Sequence, residues 1–294
     1  MPVSFLTPSQ REGYGRYSGE PSPEELARFF HLTEDDRALI AKYRGEHNRL
    51  GFAVQLGTIR YLGALLEDLS QVPTVVLQTL GRQLGITNIE CLHTYQAGRQ
   101  RWDHTTEIRA IFGFHDFADP QSNRRLGRWL HSLCWTGTDR PGVLFDRATD
   151  WLLAHKVLLP GASVLERFVA RVRNNVEARL YRQLLEGINV AQQALLEDLL
   201  KVPEGSRVSR LDQLRLGPSR VSGPSLVHAL QRLQTIRDLQ IALPATAKIP
   251  PNRIASLAHF AGTAKVTALN RLPPERRLAT LVAFAHCMEA TAQD

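Results

Sequence analysis

Ser163-Val-Leu-Glu-Arg-Phe-Val-Ala-Arg-Val-Arg-Asn-Asn-Val-Glu-Ala-Arg-Leu-Tyr-Arg182 decides the fold of this chain. Leu165, Phe168, Val169, Val172, Val176 and Leu180 recur at three- and four-residue steps, the spacing that lines up one face of an α-helix. Arg167, Arg171, Asn174 and Arg182 fall mostly on another side. One helix thus has an apolar face to bury and a basic face to expose. We expect it to run from about Val164 to Glu186, opened by a capping box between Ser163 and Glu166. At ~1.5 Å per residue it is roughly 33 Å long, enough to cross a DNA duplex.

The same period governs nearly all of the remaining chain, whereas alternation rich in Val, Ile and Thr is almost absent, so the sequence predicts an all-α protein. Three more helix starts carry capping boxes: Ser22 with Glu25, Thr33 with Asp36, and Thr87 with Glu90. Helices near Pro23 to Phe30, Glu34 to Tyr43 and Glu46 to Leu62 form a first group, and a second runs from Thr74 to Trp135. Thr136-Gly-Thr-Asp-Arg-Pro-Gly142 reads as a loop, and Lys201-Val-Pro-Glu-Gly-Ser-Arg207 and the Gly217-Pro218, Gly223-Pro224 and Pro250-Pro251 pairs punctuate the last third of the chain. These breaks suggest three modules: residues 1–136, divisible near residue 70, residues 137–202 with the long Arg-rich helix, and residues 203–294.

Charge narrows the function. The chain of 294 residues has 31 Arg against 5 Lys and a formal net charge of +7. Guanidinium groups are planar, permanently charged and matched to phosphate oxygens, so an excess of Arg on stiff helices points to a polyanionic partner. A GC-rich genome also enriches Arg, and the distribution along the chain must therefore decide between the two. Cys91, Cys134 and Cys287 are odd in number and far apart, which fits neither a disulfide framework nor a zinc knuckle and suits a reducing cytoplasm. The start lacks a signal-peptide pattern, and no stretch reaches the ~18 apolar residues of a membrane helix.

Thr74 to Arg101 reads as a helix-turn-helix. Gly81 is the small residue on the first helix, Gly85 makes the turn, Ile86 plugs the core and Thr87 caps the second helix. Its exposed face would offer Asn88, Glu90 and His93, with Arg99, Gln100 and Arg101 following and Arg82 on the first helix. Asn can read an adenine edge, and Arg a guanine edge or phosphate. Arg124, Arg125 and Arg128 form another basic cluster ahead of Trp129, and Arg44, His47, Asn48 and Arg49 gather at a helix start, where His47 suits a structural role and Arg44 and Arg49 suit backbone contact. For each of these groups the plain alternative is a solvated helix face or an ordinary helical hairpin.

Catalytic signatures are sparse. His115-Asp116 resembles the metal-binding dyad of the helical HD phosphohydrolases, for which His93, His104 and Asp119 are available as further ligands. The chain has no Walker-type phosphate loop, no HExxH and no Gly-x-Ser-x-Gly elbow. We expect no catalytic residue, no bound metal and no cofactor.

Many short stretches, in order, resemble the N-terminal part of the replicative transposases of the Tn-three family. They include Phe5-Leu-Thr7, Tyr14-Gly-Arg16, Gly19-Glu-Pro21, Leu26-Ala-Arg-Phe-Phe-His-Leu32, His47-Asn-Arg-Leu-Gly51, Arg60-Tyr-Leu-Gly63 and Arg82-Gln-Leu-Gly-Ile86. Glu107-Ile-Arg109, Arg140-Pro-Gly-Val-Leu-Phe-Asp146, Leu158-Leu-Pro-Gly161, Ser222-Gly-Pro224 and Leu281-Val-Ala-Phe284 continue the series. The resemblance implies a bacterial, DNA-associated module that recognises the terminal inverted repeats of a mobile element in DNA transposition. Family transposases are about three times longer and carry their Asp-Asp-Glu triad in a later nuclease-like domain, which this chain does not supply. The expected partners are double-stranded DNA, possible further copies of the chain and a full-length transposase; a membrane is not among them. The rival expectation is a helical interaction scaffold, for which the helices around Leu226 to Leu239 and Pro274 to Met288 have broad apolar faces.

Overall fold

The computed structural model describes residues 4–66, 68–217, 222–241, 243 and 248–291. Among them are sixteen α-helices, two short 3-10 turns and no strand; the sole β-type pairing is one parallel bridge between His115 and Val157. The chain divides into two compact units, residues 4–130 with 140–170, and residues 131–139 with 171–291.

The first unit is arranged around a helix with no polar face over most of its length. This helix, α4 (Glu46–Leu62), follows α1 (Pro8–Gly13), α2 (Pro23–Phe29) and α3 (Glu34–Ala41), and every residue from Leu50 to Ile59 on it is buried. It touches α2, α3, α5 (Thr74–Leu84), α6 (Leu92–Ala97) and α7 (Gln100–Phe112). Two glycines permit that crowding. A Cβ on Gly51 would lie 2.3 Å from the Tyr95 ring of α6, and one on Gly57 would lie 2.4 Å from the Phe30 ring at the end of α2. The capping boxes at Ser22 and Thr33 are both formed, reciprocally with Glu25 and Asp36.

The first unit continues through the start of α8 (Pro120–Thr136), all of α9 (Pro141–Ala154) and the opening turns of α10 (Ala162–Leu184). Leu126 and Leu130, Leu144, Phe145, Ala148, Trp151 and Leu152, and Leu165, Phe168 and Val169 are buried there. Ring contacts tie the elements together: Trp129 to Trp151 at 6.2 Å, and Phe117 edge-on to Phe168 at 5.6 Å.

The long helix starts differently from the sequence expectation. Its first turns hang from Gly161, whose carbonyl accepts the Val164 and Leu165 N–H groups, and the Ser163–Glu166 capping box is not used. Glu166 instead turns inward and is fully buried, accepting the Phe5 and Leu6 N–H groups at 3.0 and 3.2 Å and pairing with Arg11 at 2.5 Å. A buried carboxylate needs such partners, and the N-terminal segment supplies them.

The second unit repeats the plan. It contains α11 (Val190–Asp198), α12 (Arg210–Arg215), α13 (Gly223–Asp238), α14 (Pro251–Thr263), α15 (Val266–Asn270) and α16 (Pro274–Thr291). Residues 278–285 of α16 are all buried, and α16 touches α11, α13 and α14. Arg215 fastens the unit by donating to the Ala261 and Ala264 carbonyls and pairing with Asp212 at 2.7 Å, and Arg277 pairs with Glu197 at 2.7 Å. The apolar face of Pro274 to Met288, expected from the sequence to suit an external partner, is therefore largely consumed by the unit's own core.

Candidate nucleic-acid interface

The densest group of uncommitted cations lies on α8. Asp119 starts this helix: its carboxylate accepts the Ser122 N–H at 2.8 Å, and that bond holds the Asp119 carboxyl below its usual range. Pro120 occupies the first helical position, where a missing N–H costs nothing. Leu126 and Leu130 are buried, and the place of a Cβ on Gly127 is 3.6 Å from Phe168. The opposite face exposes Gln121, Arg124, Arg125 and Arg128. None of the four side chains has a hydrogen bond, ion pair or ring contact among the described residues. The nearest carboxylates along the chain are occupied, Asp119 by its cap and Asp116 by Arg109 at 3.2 Å and the Ala118 N–H at 2.8 Å.

The basic side of α10 is also exposed, but its residues are partly engaged. Arg167 donates from Nε to the Ser163 carbonyl at 3.1 Å, which leaves the end of the guanidinium pointing outward, and Arg171 has an interaction within the chain. Asn174 and Arg182 are exposed. Arg173 is bound to Glu177 at 2.8 Å and Arg179 lies 4.9 Å over the Trp135 ring, so not every arginine of this helix faces outward unpaired.

The hairpin after residue 74 has the expected turn and an unexpected second limb. Gly85 is left-handed at φ 70°, the Ile86 N–H returns to the Gly81 carbonyl at 2.9 Å, and Ile86 is buried. A Cβ on Gly81 would approach the Ile86 carbonyl oxygen at 2.9 Å, so the small residue is required there. Thr87 does not cap the next helix. Asn88 does, accepting the Glu90 N–H at 3.2 Å, and a 3-10 turn, Ile89–Cys91, precedes the short α6 in place of one continuous helix. The Asn88 side-chain oxygen is thus held by backbone, with the exposed Glu90 carboxylate two residues on. Arg82 and Arg99 are exposed, and the Arg101 guanidinium sits 4.6 Å over Trp102, an indole left 59% exposed.

At the start of α4 the N-cap is Gly45, at φ 85° with no side-chain cap. Asn48 donates to the Arg44 carbonyl at 2.9 Å, His47 packs where a Gly45 Cβ would be, and Arg49 is half-buried; only Arg44 of this group is fully exposed. Asn48 and His47 therefore serve the local fold. The structure gathers Arg124, Arg125 and Arg128 on one face of α8 and sets Arg167, Arg171, Asn174 and Arg182 along α10, while the residues at positions 44–49, 82–88 and 99–101 stand on or beside other helices.

Sequence reasoning missed two charged groups that are interior. Arg60 grips Asp36 with both nitrogens at 2.9 Å, and Glu166 is the buried anchor of the N-terminal segment. The signal for Arg60 was the Thr33 capping box, which places Asp36 at the first turn of α3. Several residues considered for a metal are engaged elsewhere: His104 is buried with Nδ1 3.1 Å from the Tyr95 hydroxyl, Asp116 pairs with Arg109, Asp119 caps α8, and the His115 backbone pairs with Lys156 and Leu158. Among the described residues no group of three or more His, Cys, Asp or Glu is placed to hold a metal ion. None of the described helices is long and apolar enough to cross a membrane.

Fold and surface together define an all-α protein of two helical units whose free guanidinium groups are displayed on helix faces. The chain belongs to the family described as a domain of unknown function, DUF4158, which matches residues 5–172. Along its full length it is 43% identical to the transposase for transposon gamma-delta of Escherichia coli K12. Over 92% of the chain it is 31% identical to the transposase for transposon Tn501 of Pseudomonas aeruginosa, and over 95% it is 27% identical to the transposase for Tn1546 of Enterococcus faecium. The chain spans 27% to 29% of the length of these relatives. Its homologues are transposases, as the resemblance to the Tn-three family implies.

Proposed function

We propose that this chain binds duplex DNA at the terminal inverted repeats of a mobile element and contributes recognition to a transposase while performing no chemistry itself. The observation that carries the reading is the α8 face, where Arg124, Arg125 and Arg128 are exposed and, among the described residues, their side chains are unpaired. Protein arginines left without partners are suited to phosphate, whose oxygens match the guanidinium fork. The transposase names of the relatives support the same reading. In this scheme residues 1–136 and 137–202 provide the DNA-binding modules, and residues 203–294 lead toward the catalytic part of the protein. The α10 residues Arg167, Arg171, Asn174 and Arg182 extend the contact, and Arg44, Arg49, Arg82, Arg99 and Arg101 serve as phosphate anchors.

The test is fluorescence anisotropy with a labelled terminal-repeat duplex against a scrambled duplex of equal composition. Tight binding to the repeat alone is expected. Equal, weak binding to both duplexes would reduce the surface to generic basic attraction and overturn the reading.

A second reading, an interaction scaffold, is favoured by one feature: Leu226, Val227 and Leu230 of α13 are 63%, 54% and 57% exposed. Because α16 is central to the second unit's core, deleting the region would unfold it; Leu226→Glu with Leu230→Glu tests the surface instead. Loss of self-association in sedimentation, with DNA binding retained, would assign that role to α13.

A further inference from the structure

We infer that Gln121 reads an adenine in the major groove, with Arg124, Arg125 and Arg128 beside it on guanine edges and phosphates, which makes α8 the base-reading helix of the first unit. The inference rests on the proposed DNA binding and adds to it a residue that determines specificity.

At 100° per residue, positions 121, 124, 125 and 128 fall within about 100° of the α8 circumference. All four are exposed, while Leu126 and Leu130 on the far side are buried, so the stripe is a true outer face of a helix anchored from behind. From Gln121 to Arg128 the helix rises about 10 Å, the height of roughly three base pairs at ~3.4 Å each. The stripe holds no carboxylate, and its side chains make no hydrogen bond, ion pair or ring contact among the described residues.

The four side chains divide by chemistry. A guanidinium offers donors only, which match the O6 and N7 acceptors of guanine or the oxygens of phosphate. An amide offers a donor and an acceptor side by side. Only adenine presents the complement in the major groove, N7 accepting from the glutamine Nε2 and the N6 amino group donating to Oε1. Gln121 is the one residue of the stripe with that pair. It also stands in the first turn of its helix, the part of a recognition helix that reaches base edges. Asn88, the amide predicted for this task from the sequence, is occupied as a cap.

The experiment starts from duplexes selected by the intact chain from a randomised pool. Each adenine of the selected sequence is replaced in turn by 7-deaza-adenine, which keeps Watson–Crick pairing and removes the N7 acceptor. Affinities are measured for the wild-type chain, Gln121→Ala, and the triple Arg124→Ala, Arg125→Ala, Arg128→Ala variant, each with a thermal melt to confirm folding. The wild type is expected to lose about 5- to 150-fold at one adenine, Gln121→Ala to lose a similar factor on the unmodified duplex and to be indifferent to that replacement. The triple variant should bind every sequence more weakly. Wild-type sensitivity persisting undiminished in Gln121→Ala at every adenine would overturn the role of Gln121 while leaving DNA binding intact. Selection that enriches no sequence would defeat the underlying reading, and this inference with it.

Discussion

Asp36 and His104 show how single ionisable groups set the stability of the first unit. Burial alone raises the Asp36 carboxyl, but the two Arg60 bonds at 2.9 Å and the Thr33 N–H at 3.0 Å outweigh it and leave the group below its usual range. A carboxyl depressed in the fold stabilises it fully above the ordinary carboxyl range, about pH 4, and that contribution is lost as pH falls through the lower folded value. Asp36→Ala removes it and leaves Arg60 unpaired above Phe112, and a cost of about 2–4 kcal/mol at neutral pH is expected in denaturant melts, with a shallower acid limb than the wild type. His104 acts at higher pH. Desolvation among Tyr43, Phe52 and Tyr95 lowers its basicity, so the unfolded chain binds its proton first and stability falls as pH drops below about 6.5. Melting temperature should therefore decline between about pH 7 and 5, and His104→Gln, less stable at pH 7, should lack that part of the decline.

The helices owe their placement to a few side chains that act across long separations in sequence. Glu166 on α10 holds the backbone of Phe5 and Leu6 and the head of Arg11, and the Phe5 and Tyr14 rings then meet Phe145 of α9 at 6.2 and 5.1 Å. Glu166→Gln keeps the shape but loses the charge opposite Arg11; a loss of about 1.5–3 kcal/mol is expected, with faster amide hydrogen exchange at residues 5 and 6 than in the wild type. Unchanged exchange there would show that the ring contacts alone fix the segment. Gly81 and Gly85 are the matching devices of the hairpin, and both were legible in the sequence because a turn between helices has few solutions.

For the whole molecule the decisive quantity is how many arginines remain for a partner once the fold has taken its share. Arg11, Arg60, Arg109, Arg173, Arg210, Arg215 and Arg277 are all in ion pairs, so the positive charge behind the net value of +7 is unevenly available. If ~6 to 10 phosphates are neutralised, affinity should fall by about three to five decades between 50 and 200 mM salt. Replacing Arg124, Arg125 and Arg128 together should flatten the slope of log affinity against log salt by about 2.7 if each meets one phosphate, and replacing Arg167 and Arg171 should flatten it by a smaller or equal step per residue. A slope untouched by the triple replacement would place the phosphate contacts elsewhere.

The sequence by itself determined the all-α class, the capping boxes at Ser22 and Thr33, the Gly85 turn and the identity of α10 as a two-faced helix. These rest on period, caps and turn residues, which act within a few positions along the chain and need no knowledge of distant partners. It also held the resemblance that the transposase homologues now support. Only the tertiary structure decided that Glu166 faces inward, that the α16 apolar face is core, and that the α8 arginine side chains stand unpaired among the described residues. Whether a polar side chain is spent or available depends on what lies within about 3 Å of it in space. For Glu166 that neighbour is 155 residues away in sequence, which no local pattern encodes.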